Sequence, residues 1–290
     1  MNYLFPLCAV LIFAGNNVVN RLAVGVLHPA EIGFYRWLLA GLLLTPFMAG
    51  SLRRHWGEVR PHLGRIVVLG LLGMAVYQSL AYYAATLTTA TNMGIILSLM
   101  PMMALGLSIA VLGTPLTRGA SVGALVSLAG VLLVVSGGDP AALLHQGVNG
   151  GDGMMIVATF AYAVYGVLLK RWRPPVPPLL LLYLQVLVAI VFLLPLLLIS
   201  PKQGASLAAL PLVLYAGLLA SMVAPLLWMA SIARLGPGRT SLFFNLLPVL
   251  TALIAAWLLG ERLTGALFLG GGLILAGVLI AELWTRPWRQ

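Results

Sequence analysis

The sequence predicts an all-α integral membrane protein of ten transmembrane helices built as two inverted five-helix repeats. Three observations carry that prediction: a shortage of charge, ten apolar runs of spanning length, and an internal repeat at a fixed offset. Hydrophobic residues make up 61% of the 290 positions and charged residues only 8%. A soluble domain carries about 25% charged residues. So few charges cannot cover a water-facing surface, and most of the surface must face lipid. The chain is also too short to hold a soluble domain beside many spans, so one membrane domain uses nearly all of it.

A bilayer-spanning helix needs about 20 mostly apolar residues. Lipid offers no hydrogen bonds, so each span must satisfy its own backbone as helix. Ten runs qualify, at about 3–22, 30–50, 65–86, 91–112, 118–136, 152–171, 178–199, 208–232, 239–259 and 263–284. The gaps are short and rich in Gly, Pro, Thr and Arg, which punctuate helices. The longest gap, 137–151, lies mid-chain. The first run lacks a basic flank and a cleavage site, so it is expected to be a retained helix rather than a signal peptide. Cys8, the single cysteine, lies inside that run, which leaves no intrachain disulfide and no thiol metal site.

The net charge is +10. In a soluble protein that balance suggests nucleic-acid binding, but here the basic residues sit in short gaps between apolar runs, so they set membrane orientation instead. With ten spans both ends share a side. That side holds Arg53, Arg54, Arg60, Arg65, Arg118, Lys170, Arg171, Arg173, Arg234, Arg239, Arg286 and Arg289, and the other holds Arg21, Arg36, Lys202 and Arg262. The 12-to-4 split accounts for all 16 basic residues and predicts both termini in the cytoplasm. Short loops with this bias fit a bacterial inner membrane.

The repeat has a constant offset of 147. Gly70-Leu71-Leu72 matches Gly217-Leu218-Leu219, and Leu99-Met100-Pro101 matches Leu246-Leu247-Pro248. Gly113-Thr114-Pro115-Leu116-Thr117 matches Gly260-Glu261-Arg262-Leu263-Thr264, and Leu128-Ala129-Gly130 matches Leu275-Ala276-Gly277. An offset of 149 joins the earlier spans, Pro29 to Pro178 and Arg36 to Gln185. Single matches between apolar segments are weak, but a fixed offset through Gly, Pro and Thr is strong. The halves are 1–145 and 146–290. Five spans is an odd number, so the second half is expected upside down relative to the first. Inverted repeats are a hallmark of secondary transporters, whose site lies near the bilayer midplane.

The ten-span repeat, the Pro-to-Arg/Gln spacing of spans 2 and 7, the mid-helix prolines of spans 4 and 9, and the Gly260-Glu261-Arg262-Leu263-Thr264 opening of the last span resemble the EamA-type members of the drug/metabolite transporter superfamily. The resemblance covers essentially the whole chain. Its aromatic cavity-facing spans are similar to the YddG-type exporters of aromatic amino acids. One departure is Thr114-Pro115, where the first repeat of the family usually carries an acidic residue like Glu261. The resemblance implies a central cavity formed by spans 1, 3, 4, 6, 8 and 9, with spans 2 and 7 peripheral. It implies substrates among amino acids, small metabolites, nucleotide sugars or drugs.

Polar groups inside a membrane are costly and usually face the bundle interior. In span 1, Phe13, Asn16, Asn17 and Asn20 share one helical face. Three amides there suit a zwitterion, or equally serve as packing bonds between helices. Span 3 carries Tyr77, Gln78, Tyr82 and Tyr83. Aromatic rings with polar tips suit an aromatic or amphipathic ligand, while Tyr82 and Tyr83, nearer the outer end, fit an interfacial belt as well. Tyr162 and Tyr165 share a face of span 6, and Trp228 lies in the inner third of span 8. Ser98 and Asn245 are repeat equivalents, each three residues before its span's proline. These eleven residues, without Phe13 and Tyr83, form the expected substrate-binding set.

Pro101, Pro248 and Pro225 are expected hinges, because a mid-helix proline removes a donor and clashes with the carbonyl four residues earlier. For Pro101 and Pro248 those carbonyls belong to Leu97 and Phe244. The glycines of spans 5 and 10, among them Gly123, Gly130, Gly270 and Gly277, suit close helix approach.

The acidic residues Glu31, Glu58, Asp139, Asp152, Glu261 and Glu282 all avoid span centres, and His28, His55, His62 and His145 lie in or near loops. A proton-coupled carrier usually keeps a titratable group on its path, so a substrate running down its own gradient is expected. No HExxH, Gly-x-Ser-x-Gly or Walker loop marks an enzyme. Neither a cofactor, a metal, a nucleic acid nor an obligate protein partner is expected; the partners are a small-molecule substrate and the lipid bilayer. The neutral aromatic and amide set favours amino acids. A carrier of organic cations, which rings bind through cation–π contact, or of sugar-linked metabolites is the competing expectation.

Overall fold

The computed structural model describes residues 2–23, 25–88, 90–141, 149–204, 207, 209–260 and 263–286, which are helical with no strands among them. Glu261, Arg262, His145 and Arg289 lie outside these residues, as does the 145/146 boundary between the halves. In chain order the helical stretches are α1 (Leu4–Ala23), α2 (Pro29–Arg54), α3 (Trp56–Ala84), α4 (Met93–Leu112) and α5 (Arg118–Val135). They continue as α6 (Gly150–Trp172), α7 (Pro178–Ile199), α8 (Ala209–Leu235), α9 (Pro237–Leu258) and α10 (Gly265–Leu283). Eight of them, α2 to α9, are long and apolar enough to cross a membrane, and α1 and α10 hold shorter apolar stretches. Large apolar side chains such as Phe47, Val191, Ile199, Trp257 and Leu269 cover the outside of the bundle, as a lipid-facing surface requires.

The helix ends follow local chemistry. His28 and Glu31 form a capping box at the start of α2, and Asn149 and Asp152 form one at the start of α6. Two of the acids that avoid span centres thus hold helix N-termini. Thr117 and Thr264, one offset apart, both cap the next helix by accepting from Ala120 N and Leu267 N. Gly113 and Gly260, also one offset apart, end α4 and α9 at φ 66° and 70°, a left-handed conformation that favours glycine.

Two departures from regular helix were not expected from the apolar pattern. Residues Leu71–Val76 of α3 and Tyr215–Val223 of α8 wind as π-helix. A π turn bonds each carbonyl to the N–H five residues on and is frequent at functional sites. The proline breaks also differ from expectation. Before Pro248 the chain tightens into a 3₁₀ turn, Phe243–Leu246, and Leu247 N bonds to Phe244 O. The carbonyl expected to be freed is therefore satisfied locally. At Pro101 the turn sits at Leu99, whose N bonds to Ile96 O.

The packing exchanges the two halves of the chain. Helix α1 packs on α8 and α9, and α6 packs on α3 and α4. Helices α5 and α10 run antiparallel in close contact. A Cβ at Gly130 would meet Gly270 O at 2.6 Å, and one at Gly270 would meet Gly130 O at 2.6 Å. Between them Ser127 Oγ donates to Ile274 O across a separation of 147 residues. Helices α2 and α7 pair at the other end, where Gly41 faces Ile190 and the Thr45 and Tyr183 hydroxyls bond at 3.1 Å.

Candidate functional site

Six rings from five helices meet in the middle of the bundle. Tyr162 of α6 is the hub: Tyr77 of α3 lies 4.6 Å away by ring centroids, Tyr165 5.4 Å, Phe244 of α9 5.8 Å and Trp228 of α8 6.3 Å. Trp228 and Phe244 meet edge to face at 4.4 Å, and Phe13 of α1 stacks on Phe244 at 5.8 Å. Each such pair contributes about 0.5–1.5 kcal/mol beyond its buried area.

The sequence-expected residues divide into three groups. Tyr77, Tyr162, Tyr165 and Trp228 join the ring cluster. Asn16, Asn17, Asn20 and Tyr82 form a polar strip along α1 and the C-terminal part of α3. Asn17 Nδ2 donates to Thr251 Oγ1 at 3.3 Å, and Tyr82 Oη donates to Asn20 Oδ1 at 3.4 Å. Asn16 is buried and its Oδ1 has no partner. The third group stands apart. Gln78 is half-buried beside Tyr77 and joins none of the ring contacts. Ser98 turns its hydroxyl back to Ile95 O at 2.6 Å. Tyr83, the belt candidate, bonds Ser200 Oγ at 3.0 Å. Asn245, 1% exposed, follows Phe244 in the 3₁₀ turn, and both its amide atoms are unpartnered. A buried polar atom without a bond costs about 1–3 kcal/mol.

Below the rings, toward the C-terminal end of α6, lies a small cavity of about 10 Å³, lined by Met100, Tyr162, Gly166, Trp228, Ile232 and Ser241, among others, room for about one water. Small-molecule pockets usually span about 300–1,000 Å³. A substrate-sized molecule therefore needs the rings to part.

Two residues of the candidate site escaped the sequence. Phe244 entered only as a carbonyl before Pro248. Arg36 was counted among the charges of the outer side, yet it is fully buried inside α2. Its Nε donates to Ser221 Oγ at 2.7 Å, one terminal nitrogen to Tyr82 Oη at 3.0 Å, and the other to Ala220 O at 3.0 Å. The π segment explains the last bond. Ala220 O would pair with the N–H of residue 225, and Pro225 has none. Pro225 thus leaves an acceptor that the guanidinium fills. Bonds to a charged group contribute about 1.5–3 kcal/mol each, which offsets a desolvation cost of several kcal/mol.

A helical bundle with apolar, lipid-facing sides and spans of membrane-crossing length is an integral membrane protein. The chain belongs to the EamA-like transporter family, whose profile matches residues 1–136 and 149–283. It is 25% identical over 288 residues to an uncharacterised transporter of Bacillus subtilis (strain 168), YyaM, covering 97% of this chain and 94% of that one. It is 27% identical over 278 residues to a probable terminal-alkyne amino-acid exporter of Streptantibioticus cattleyicolor, covering 90% and 89%. A crystal structure 20% identical in sequence shares the fold with a TM-score of 0.79, covering 98% of this chain and 97% of that one.

Proposed function

We propose that this transporter exports amino acids with aromatic or hydrophobic side chains by alternating access, with the substrate running down its own gradient. The carrying observation is the Tyr162-centred ring cluster, fed by α1, α3, α6, α8 and α9, with Asn16 Oδ1 on α1 and the amide of Asn245 on α9 buried without partners. Rings supply wide apolar contact, and bare amides supply donors and acceptors to a polar backbone. The name of the Streptantibioticus relative supports the amino-acid class.

Two inverted five-helix repeats, 1–145 and 146–290, are the mechanical part of the proposal. The paired caps at Thr117 and Thr264, the paired π segments and the contacts that exchange the halves support it. Such a pair has two near-equivalent arrangements, one open to each side. The breaks at Pro101 and Pro248 and the π segment ahead of Pro225 are the hinges, and both termini face the cytoplasm.

Labelled Phe, Trp and Tyr are offered to proteoliposomes holding the purified protein, with and without a pH gradient. Saturable uptake without a gradient is expected. Uptake only with a gradient would remove the facilitative part. No uptake by folded protein would discard amino acids and favour organic cations, which the ring cluster could bind through cation–π contact.

A further inference from the structure

Arg36 is a fully buried cation held by neutral groups: a hydroxyl, a carbonyl, a phenol and the Trp37 ring, whose centroid lies 5.2 Å from its Cζ. Among the described residues no carboxylate oxygen lies within 4.0 Å of it. The acid nearest in sequence on the same helix, Glu31, is engaged elsewhere, accepting from the backbone N–H groups of His28, Gln203 and Gly204. A guanidinium has five N–H donors, and three are used here.

The two sides of this group differ. Ala220 and Ser221 belong to the α8 π segment and fix one edge. Tyr82 meets the other side; it is half-buried, and its hydroxyl also reaches Asn20 at 3.4 Å. A phenol between a cation and an amide is an exchangeable neutral group standing where an anion would bind better. Tyr77 lies five residues from Tyr82 on α3, roughly 7.5 Å along the axis at 1.5 Å per residue. Asn20, Asn17, Asn16 and Phe13 trace the same route down one face of α1. The positive end and the ring cluster are thus within reach of one molecule carrying a carboxylate at one end and a ring at the other.

We propose that Arg36, with Tyr82 and Asn20, anchors the carboxylate of the transported molecule. The substrate class is then carboxylate-bearing, and organic cations are disfavoured by a buried charge of their own sign. This rests on the transport reading above and narrows its substrate. Arginine suits the task because its planar fork matches a carboxylate in a way lysine does not.

The test uses heat stabilisation of the purified full chain by three probes that share a phenyl ring. These are 3-phenylpropionate with a carboxylate, phenethylamine with an ammonium, and uncharged 3-phenylpropanol. The wild type is expected to be stabilised by phenylpropionate and not by phenethylamine. R36Q is expected to weaken phenylpropionate at least tenfold while leaving phenylpropanol unchanged, with R36K between. Equal protection of the wild type by phenethylamine overturns the proposal without any variant. Equal weakening of phenylpropanol in R36Q marks Arg36 as a packing residue and overturns it too. If R36Q does not fold, R36K and the wild-type probe pair decide. If the wild type fails to carry labelled Phe but is still protected by phenylpropionate, the amino-acid reading falls and the anchor stands.

Discussion

Two contacts between the halves of the chain use the same geometry with different chemistry. Gly70 of α3 lies against α7, where an added Cβ would meet Val188 Cβ at 2.8 Å and Gln185 O at 3.1 Å. Gly217 of α8 lies against α2, where it would meet Leu39 Cδ2 at 2.7 Å and Arg36 O at 3.2 Å. The glycines are 147 apart and their partners 149 apart, so these are equivalent contacts. In one, the polar side chain is Arg36, with two bonds across the interface to Ala220 and Ser221 and a third to Tyr82 of α3. In the other it is Gln185, fully buried with both amide atoms unpartnered. Packing is shared by the two contacts and polar chemistry is not. Shared packing is enough to build the bundle, whereas the carboxylate anchor proposed at Arg36 needs an interior that differs between the two contacts.

The sharpest way to break this comparison is to remove polarity from both sides. Arg36→Leu leaves Ala220 O, Ser221 Oγ and Tyr82 Oη without their partner, and each unmade buried bond costs about 1–3 kcal/mol. A net loss on the order of 3 kcal/mol is expected. Gln185→Leu removes two unpaired polar atoms at similar volume, so stability should hold or rise by about 1 kcal/mol. Thermal unfolding of both variants in detergent checks the pair. Equal losses would mean that Gln185 also carries bonds, and that the two contacts are chemically alike.

The glycines give a smaller contrast. In Gly70→Ala the nearest atom is the Cβ of a β-branched valine, tied to its backbone with little freedom. In Gly217→Ala it is the far methyl of Leu39, which can rotate away. Gly70→Ala should cost about 2 kcal/mol, within the range for overpacking, and Gly217→Ala less than about 1 kcal/mol. The same unfolding midpoints decide the order. A reversed order would show that the α8 π segment is the stiffer of the two.

What the sequence made legible follows the same divide. Apolar runs and punctuation placed α2 to α9 closely, because lipid enforces helix wherever charge is missing. Spacing put Tyr162 and Tyr165 on one face, and depth in the span singled out Tyr77 and Trp228; the four meet in the ring cluster. The π segments left no mark, because an extra residue in a turn alters the backbone ladder without altering an all-apolar pattern. Arg36 was lost through the charge count, which treats every basic residue near a span end as water-facing. Its burial depends on an acceptor that Pro225 exposes on a helix about 185 residues away, and no local pattern encodes that meeting.

The smallest expected effect tests whether local structure, as opposed to side-chain chemistry, is held in common. Thr117 caps α5 and Thr264 caps α10, each from an extended backbone and each accepting from the N–H three residues on. The bonds measure 3.1 and 3.4 Å. Replacing such a cap by alanine costs about 1 kcal/mol, since it orphans one of the first N–H groups of the helix. Thr117→Ala and Thr264→Ala should therefore lose similar stability, with Thr117 at the larger end because its bond is shorter. Neither threonine touches the rings or Arg36, so the apparent affinity for a transported substrate should not change in either variant. Unfolding midpoints measured beside uptake KM separate the two quantities. A cap variant that left stability intact but shifted KM would mean that the ends of α5 and α10 report on the central site, and that the scaffold and the site are not separable as the Gly70 and Gly217 contacts suggest.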